Sequence, residues 1–274
     1  MRMRNKEISK GEGFLKTSNK EIENIYNSYK MRKQYNTNIQ LVSMLDMQKS
    51  IEIADKFEEL KHNSTDKKTL KAYKALIEEL KEQFLEIKKN GYKVEPFEWE
   101  WEPYKTSKEM RDDLKNNKHL YYLRTKYWFW FWNQRRNKKY IYTKEEILNN
   151  PLLWNSWIKI KGEELVYNDL FRIIHDFFWH WIKTNWFWPL WEENAWRIHS
   201  QSFSDDARRA LTTETRGQNS WVNFNKKMRN KDGHILKKWD KWYIPPSDRP
   251  FAEQKIWLLP DEIVFPERFI WESN

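Results

Sequence analysis

Between residues 67 and 89 the apolar positions Leu70, Tyr73, Ile77, Leu80, Phe84 and Ile87 recur at intervals of 3, 4, 3, 4 and 3. That is one face of an α-helix, and Asn90-Gly91 supplies its stop. A second apolar face, Leu170, Phe171, Ile174, Phe177 and Phe178, follows Asn168-Asp169, which reads as an N-cap with an acidic first turn. A third helix is predicted from Ser204, with Asp205 and Asp206 in its first turn, a stripe of Ala207, Ala210 and Leu211, and Gly217 just past its end. Residues 192–203 form a further helix between the last two. Two more helices are expected in residues 19–60, on Ile22, Ile25 and Tyr26 and then on Leu41, Met44, Leu45, Ile51, Ile53 and Phe57.

Shorter elements complete the pattern. Ser107 caps a helix running to Asn116, His119–Arg124 alternates as a strand, and Thr143 caps a short helix over 144–149. Residues 95–103 read as irregular, Leu165–Tyr167 as a short strand, and Asn230–Gly233 as a turn. After Trp221 five prolines deny long helices, leaving Phe251–Leu259 as one short helix. The expected fold is mainly α: a helical, catalytic-type core with a few short strands and long irregular loops, plus an N-terminal helical extension. The division falls at residues 1–65, a basic tail and extension with a linker at His62–Asp66, and 66–274, the core domain.

Chemistry concentrates in residues 168–221. His175 lies between Phe171 at i−4 and Phe178 at i+3, so its imidazole points into an apolar face, where a polar ring needs a partner. His180 is five residues on, about 140° round a straight helix axis. The pair can meet only if the helix ends near residue 179, a job for glycine, but the residue is Trp179. Glu214 continues the core stripe of the third predicted helix at i+7 from Ala207, where burial and the helix dipole both oppose its charge. A metal or Arg216 is the expected compensating cation. Two histidines and one carboxylate form the facial triad of non-haem Fe(II) sites. Glu192 and His199, seven residues apart on one helical face, are the rival third ligand or orienting partners, and Glu193 can pair with Arg197.

The block His175-Asp176-Phe177-Phe178-Trp179-His180 resembles the H-D-x-F-G-H iron motif of the pterin-dependent aromatic amino acid hydroxylases. The resemblance spans about fifty residues. It implies His175 and His180 as the first two iron ligands. It implies as the third a glutamate in a T-x-E-x-G-like context, here Glu214 in Thr212-Thr213-Glu214, 34 residues after His180. The chain departs from that family at Trp179, in lacking the proline that follows the motif, and in having no counterpart of the substrate-binding arginine. The resemblance therefore speaks for iron rather than for a pterin cofactor or an aromatic amino acid substrate. From about Leu70 onward the chain also resembles an uncharacterised protein family of bacteriophages and other mobile elements. This second likeness rests on Glu102-Pro103-Tyr104, Asn168-Asp169, the 175–180 block, Glu192–Trp196, Glu214–Trp221 and Phe251–Lys255. It implies a context, not a reaction.

Composition adds three constraints. There is no cysteine, no apolar run near 18 residues and no leader-like start, which predicts the cytoplasm, of a bacterial host on the second resemblance, and no membrane span. Net charge is +10, compatible with weak nucleic-acid contact through a dispersed basic surface. Finally, the 274 residues include 18 Trp and only 6 Gly, where average usage of ~7% gives roughly 19 Gly. Trp179 at a helix end, Trp191 before a helix start, and Trp239 and Trp242 around a turn all stand where glycine is expected. This points to an alternative genetic code in which UGA is glycine, with Trp196 and Trp221 as true tryptophans. On that reading the aromatic run at residues 127–132 is a glycine-rich loop rather than a stacking or membrane-interface patch.

The functional expectation is a mononuclear non-haem iron protein, oxygenase-like. Its metal ligands are His175, His180 and Glu214, with Asp176, Glu192, His199 and Arg216 tuning or orienting them; its small-molecule substrate is unspecified. A zinc-dependent hydrolase is a close alternative, since three N/O ligands plus water also suit zinc. The non-enzymatic alternative is a phage accessory protein that binds nucleic acid or a host protein, with the His/Glu cluster structural.

Overall fold

A computed structural model describes residues 19–35, 37–62, 65–97, 103–125, 144–179 and 189–269. It is mainly helical, with two small two-stranded sheets. His180, the aromatic run at 127–132, the basic tail at 1–18 and part of the linker at 63–64 lie outside the described residues.

The helices begin where side-chain acceptors meet free backbone N–H groups. α1 (Lys20–Lys33) is capped by Asn19, α2 (Met47–Glu59) by Asp46, and α3 (Lys67–Lys89) by Asp66, whose carboxylate accepts from Thr69 N at 2.7 Å. Thus the second N-terminal helix starts at Met47, and Leu41 and Met44 precede it in irregular chain. α3 ends as expected, with Gly91 at φ 82°. α4 (Ser107–Asn116) is capped by Thr106 rather than Ser107, the hydroxyl one residue earlier accepting from Glu109 N.

β1 (Lys93–Pro96) and β2 (His119–Tyr122) pair in parallel, Lys93 opposite His119, with α4 in the crossover. Residues 95 and 96, expected to be irregular, belong to β1: a four-residue strand is too short for its alternation to stand out. After α5 (Lys144–Asn149) comes a hairpin of β3 (Asn155–Ile160), which periodicity missed, and β4 (Glu163–Val166), which contains Leu165 and Val166 of the expected short strand, while Tyr167 opens the next helix. Its two-residue turn, Lys161-Gly162 at φ 51° and 83°, has the type I′ pattern that matches strand twist. β3 escaped notice because its ladder is broken between Asn155 and Lys159 by a bulge, where Trp157 adopts φ 63°.

α6 (Tyr167–Trp179) follows β4 directly. Asn168 is not its N-cap but a first-turn residue, and its amide donates to Thr125 Oγ1 at 3.1 Å. Asp169 takes the capping role from inside the helix: one oxygen accepts from Val166 N and the other from Thr125 N and Oγ1. α7 (Pro189–His199) starts with proline at its first position, and a 3-10 turn, Ser200–Ser202, ends it short of Phe203. Trp191 therefore lies within the helix rather than ahead of it.

α8 (Asp205–Thr212) is capped by Ser204 as expected. It does not stop at Gly217. A π-helical turn, Thr213–Gly217, carries the chain straight into α9 (Gln218–Phe224). Gly217 keeps helical backbone at φ −62°, and a Cβ there would meet Phe57 at 2.8 Å and Leu259 at 2.9 Å. Its role is close approach, not chain reversal. Residues 251–259 are irregular rather than helical, and the short helix falls just after Pro260 as α10 (Asp261–Val264).

The main core gathers Ile22, Leu76, Leu80, Leu120, Phe177 and Leu211 from α1, α3, β2, α6 and α8. Tyr26 of α1 donates to Ile198 O at 2.8 Å, so the first helix packs into the same core as the rest. A smaller cluster of Ile53, Phe57, Leu259, Ile263 and Phe265 joins α2 to the C-terminal segment. Among the described residues no helix is long and apolar enough to cross a membrane.

Candidate metal centre

α6 and α7 cross so that His175 faces Glu192, with His199 alongside. His175 is partly exposed and turns its Nε2 toward Glu192 Oε2 of α7, 4.0 Å away. Its ring lies 6.2 Å from that of His199, between centroids. The imidazole thus faces the polar edge of α7 rather than the apolar face that i−4 and i+3 spacing suggested. His199 is buried among Phe171, Phe203 and His175, and burial first, then the neighbouring His175, hold it well below its ordinary pKa and therefore neutral. A neutral imidazole beside a second imidazole and a carboxylate is donor chemistry suited to a divalent transition ion.

Asp176, one residue on, projects elsewhere. Burial first, then Asp113, raises the Tyr104 hydroxyl, and Asp176 adds the smallest part, from the α4 side where Tyr104 and His119 share Asp113 Oδ2 at 2.7 Å each.

Glu214 sits on the π-helical turn, and π-turns often mark functional sites. Its carboxylate accepts from Tyr73 Oη at 2.5 Å, from Gln218 Nε2 at 2.7 Å, and from Gln254 Nε2. All three donors are neutral. Burial pushes the carboxyl up to about 7, and the three hydrogen bonds pull the other way without cancelling it. Arg216, expected as its cation, turns instead to Glu193, with Nε and Nη2 each 2.8 Å from a carboxylate oxygen. Glu193 also takes the predicted bond from Arg197 at 2.9 Å, and the Arg216 guanidinium lies 4.0 Å from the Trp196 ring centroid. Arg216 is a buried structural cation bridging the π-turn and α7.

Sequence reasoning missed Tyr73 and Gln254 as partners of Glu214. Tyr73 was indistinguishable from the other large residues of the α3 stripe, and Gln254 belongs to irregular chain that carries no periodic signal. Among the described residues no three His, Asp or Glu side chains converge as a ready metal-binding group. The facing donors are His175 and Glu192, with His199 alongside and His180 outside the described residues. No family model, no curated protein and no solved structure matches this chain.

Proposed function

We propose that the chain is a metal-dependent enzyme whose ion is held by His175, His180 and a carboxylate, and that Glu192 supplies the carboxylate. The observation that carries this reading is the approach of His175 Nε2 to Glu192 Oε2 at 4.0 Å across the α6–α7 crossing. His180 is in the same six-residue motif as His175. Glu214 is the weaker choice because three neutral donors already occupy its oxygens. Two imidazoles and one carboxylate leave coordination positions open, which serves dioxygen chemistry with Fe(II) and water activation with zinc. The resemblance in the histidine motif favours iron and an oxygenase-like reaction. His199, neutral and buried, packs beside His175 with ring centroids 6.2 Å apart.

The test is metal content of the full chain after anaerobic reconstitution with Fe(II) or Zn²⁺, read by elemental analysis and titration. His175→Ala and His180→Ala should abolish stoichiometric binding. Glu192→Ala should weaken it by more than the roughly 10–100-fold that an outer partner costs, and Glu214→Gln should leave it intact. Stoichiometric binding by folded His175→Ala would end the proposal, and loss in Glu214→Gln with retention in Glu192→Ala would move the carboxylate to Glu214.

A further inference from the structure

A cavity of about 150 Å³ lies between the β3–β4 hairpin, α5 and the start of α6. Neither His175 nor Glu192 lines it. Ile147, Leu153 and Leu165 form its apolar wall, and Tyr122, Arg124 and Glu163 form its polar end. A mostly apolar cavity of this size holds a benzene-sized body.

The polar end is asymmetric. Arg124 is 7% exposed and cannot turn to water, whereas the side chain of Glu163, its ion-pair partner, is 50% exposed at the rim. Arg124 also bonds the buried Tyr122 hydroxyl, which fixes the guanidinium in place. The other two acids on the wall are committed elsewhere: Asp169 to Val166 N and to Thr125 N and Oγ1, and Glu164 to Asn155 Nδ2 and Lys159 Nζ, so neither competes for the guanidinium. A buried guanidinium must keep a carboxylate beside it, but nothing requires that carboxylate to be Glu163. If Glu163 swings into water, an incoming carboxylate restores the pair with little net electrostatic change. Burial of the ligand's apolar body then supplies the gain. An amine cannot take the place of the Glu163 carboxylate on Arg124.

We propose that this cavity binds a small monocarboxylic acid with an aromatic or branched apolar body, whose carboxylate replaces that of Glu163 on Arg124. The site stands apart from the metal reading: α6 carries Asp169 at the cavity and His175 six residues on, about 9 Å along the helix axis.

Benzoate titrated into the full-length protein, followed by ligand-observed NMR and calorimetry, tests this directly. Benzyl alcohol should bind about tenfold more weakly, the factor that one charge-assisted bond contributes, and benzylamine should not bind. Glu163→Gln removes the competing carboxylate from an exposed position and should tighten benzoate several-fold. Leu153→Trp, which fills the cavity, should abolish binding while circular dichroism reports an unchanged fold. Failure of both the natural chain and Glu163→Gln to bind benzoate would overturn the proposal. Equal binding of benzylamine, or benzoate binding indifferent to Glu163→Gln and Leu153→Trp, would do the same. Metal content is unaffected in every arm, which separates this outcome from that of the metal proposal.

Discussion

Tyr73 and Glu214, 141 residues apart in sequence, share a buried 2.5 Å hydrogen bond between the N-terminal third of α3 and the π-turn. Because burial raises the Glu214 carboxyl from 4.5 to about 7, the folded state holds its proton more tightly than the unfolded chain. The sign follows: stability is fully present below pH 4.5 and falls as pH rises through about 7. The total loss is on the order of 3 kcal/mol, at 1.36 kcal/mol per unit. His199, buried and neutral, acts in the opposite sense below its ordinary pKa, so the decline is read as the difference between the metal-free natural chain and Glu214→Gln in urea unfolding at pH 5 and pH 8. An unchanged slope in Glu214→Gln would assign the pH dependence to other groups.

The Arg216–Glu193 pair, buried at 4% and 7% exposure, predicts strong coupling. Arg216→Met removes two hydrogen bonds to Glu193 and a stacking contact on Trp196. It should cost about 3 kcal/mol, the low end for a broken buried pair, because Arg197 still bonds Glu193. Adding Glu193→Gln should restore part of that loss, so a double-mutant cycle should give a coupling above about 1 kcal/mol. Additive effects would show that the two residues stabilise the fold independently.

Gly217→Ala isolates the close approach of α2 and the C-terminal segment to the π-turn. The added methyl would press on Phe57 Cδ2 at 2.8 Å and Leu259 Cδ1 at 2.9 Å. Both atoms belong to buried side chains of the second core cluster, with little room to move. The expected loss is about 1–3 kcal/mol by overpacking, measured as a lower denaturation midpoint at constant slope. A neutral result would mean that the small cluster repacks freely.

The elements legible in the sequence were those whose signal is local and repeated. The α3 stripe, the Asp205–Leu211 pattern and the Gly91 stop each needed one face or one turn to be read. The Glu193–Arg197 pair was legible for the same reason, since i,i+4 spacing fixes it. What escaped depended on tertiary contact. Gly217 reads as a terminator until Phe57 and Leu259 are placed against it. Arg216 reads as the neighbour of Glu214 until α7 brings Glu193 within 2.8 Å. Glu192 and His199 were legible as one helical face, but that this face meets His175 is a fact about the α6–α7 crossing.

Trp157 provides the sharpest test of the excess of tryptophan over glycine. It occupies the bulge of β3 at φ 63°, a region that costs an L-residue about 1–2 kcal/mol and that glycine enters freely. Its indole does nothing to offset that strain, because the residue is 75% exposed. Trp239 and Trp242 are similarly exposed in a tight loop closed by Asp240, whose carboxylate accepts from Lys237 N at 2.6 Å. Trp196, by contrast, is buried and donates to Thr212 Oγ1 at 3.0 Å, as a true tryptophan should. Trp157→Gly is therefore expected to stabilise the protein by about 1 kcal/mol, whereas Trp196→Gly should cost more than about 3 kcal/mol. The coding DNA gives the independent reading: UGA at codons 157, 239 and 242 with UGG at codon 196 is the expected outcome. UGG at all four, or a destabilised Trp157→Gly variant, would make the tryptophan surplus a native feature of the chain.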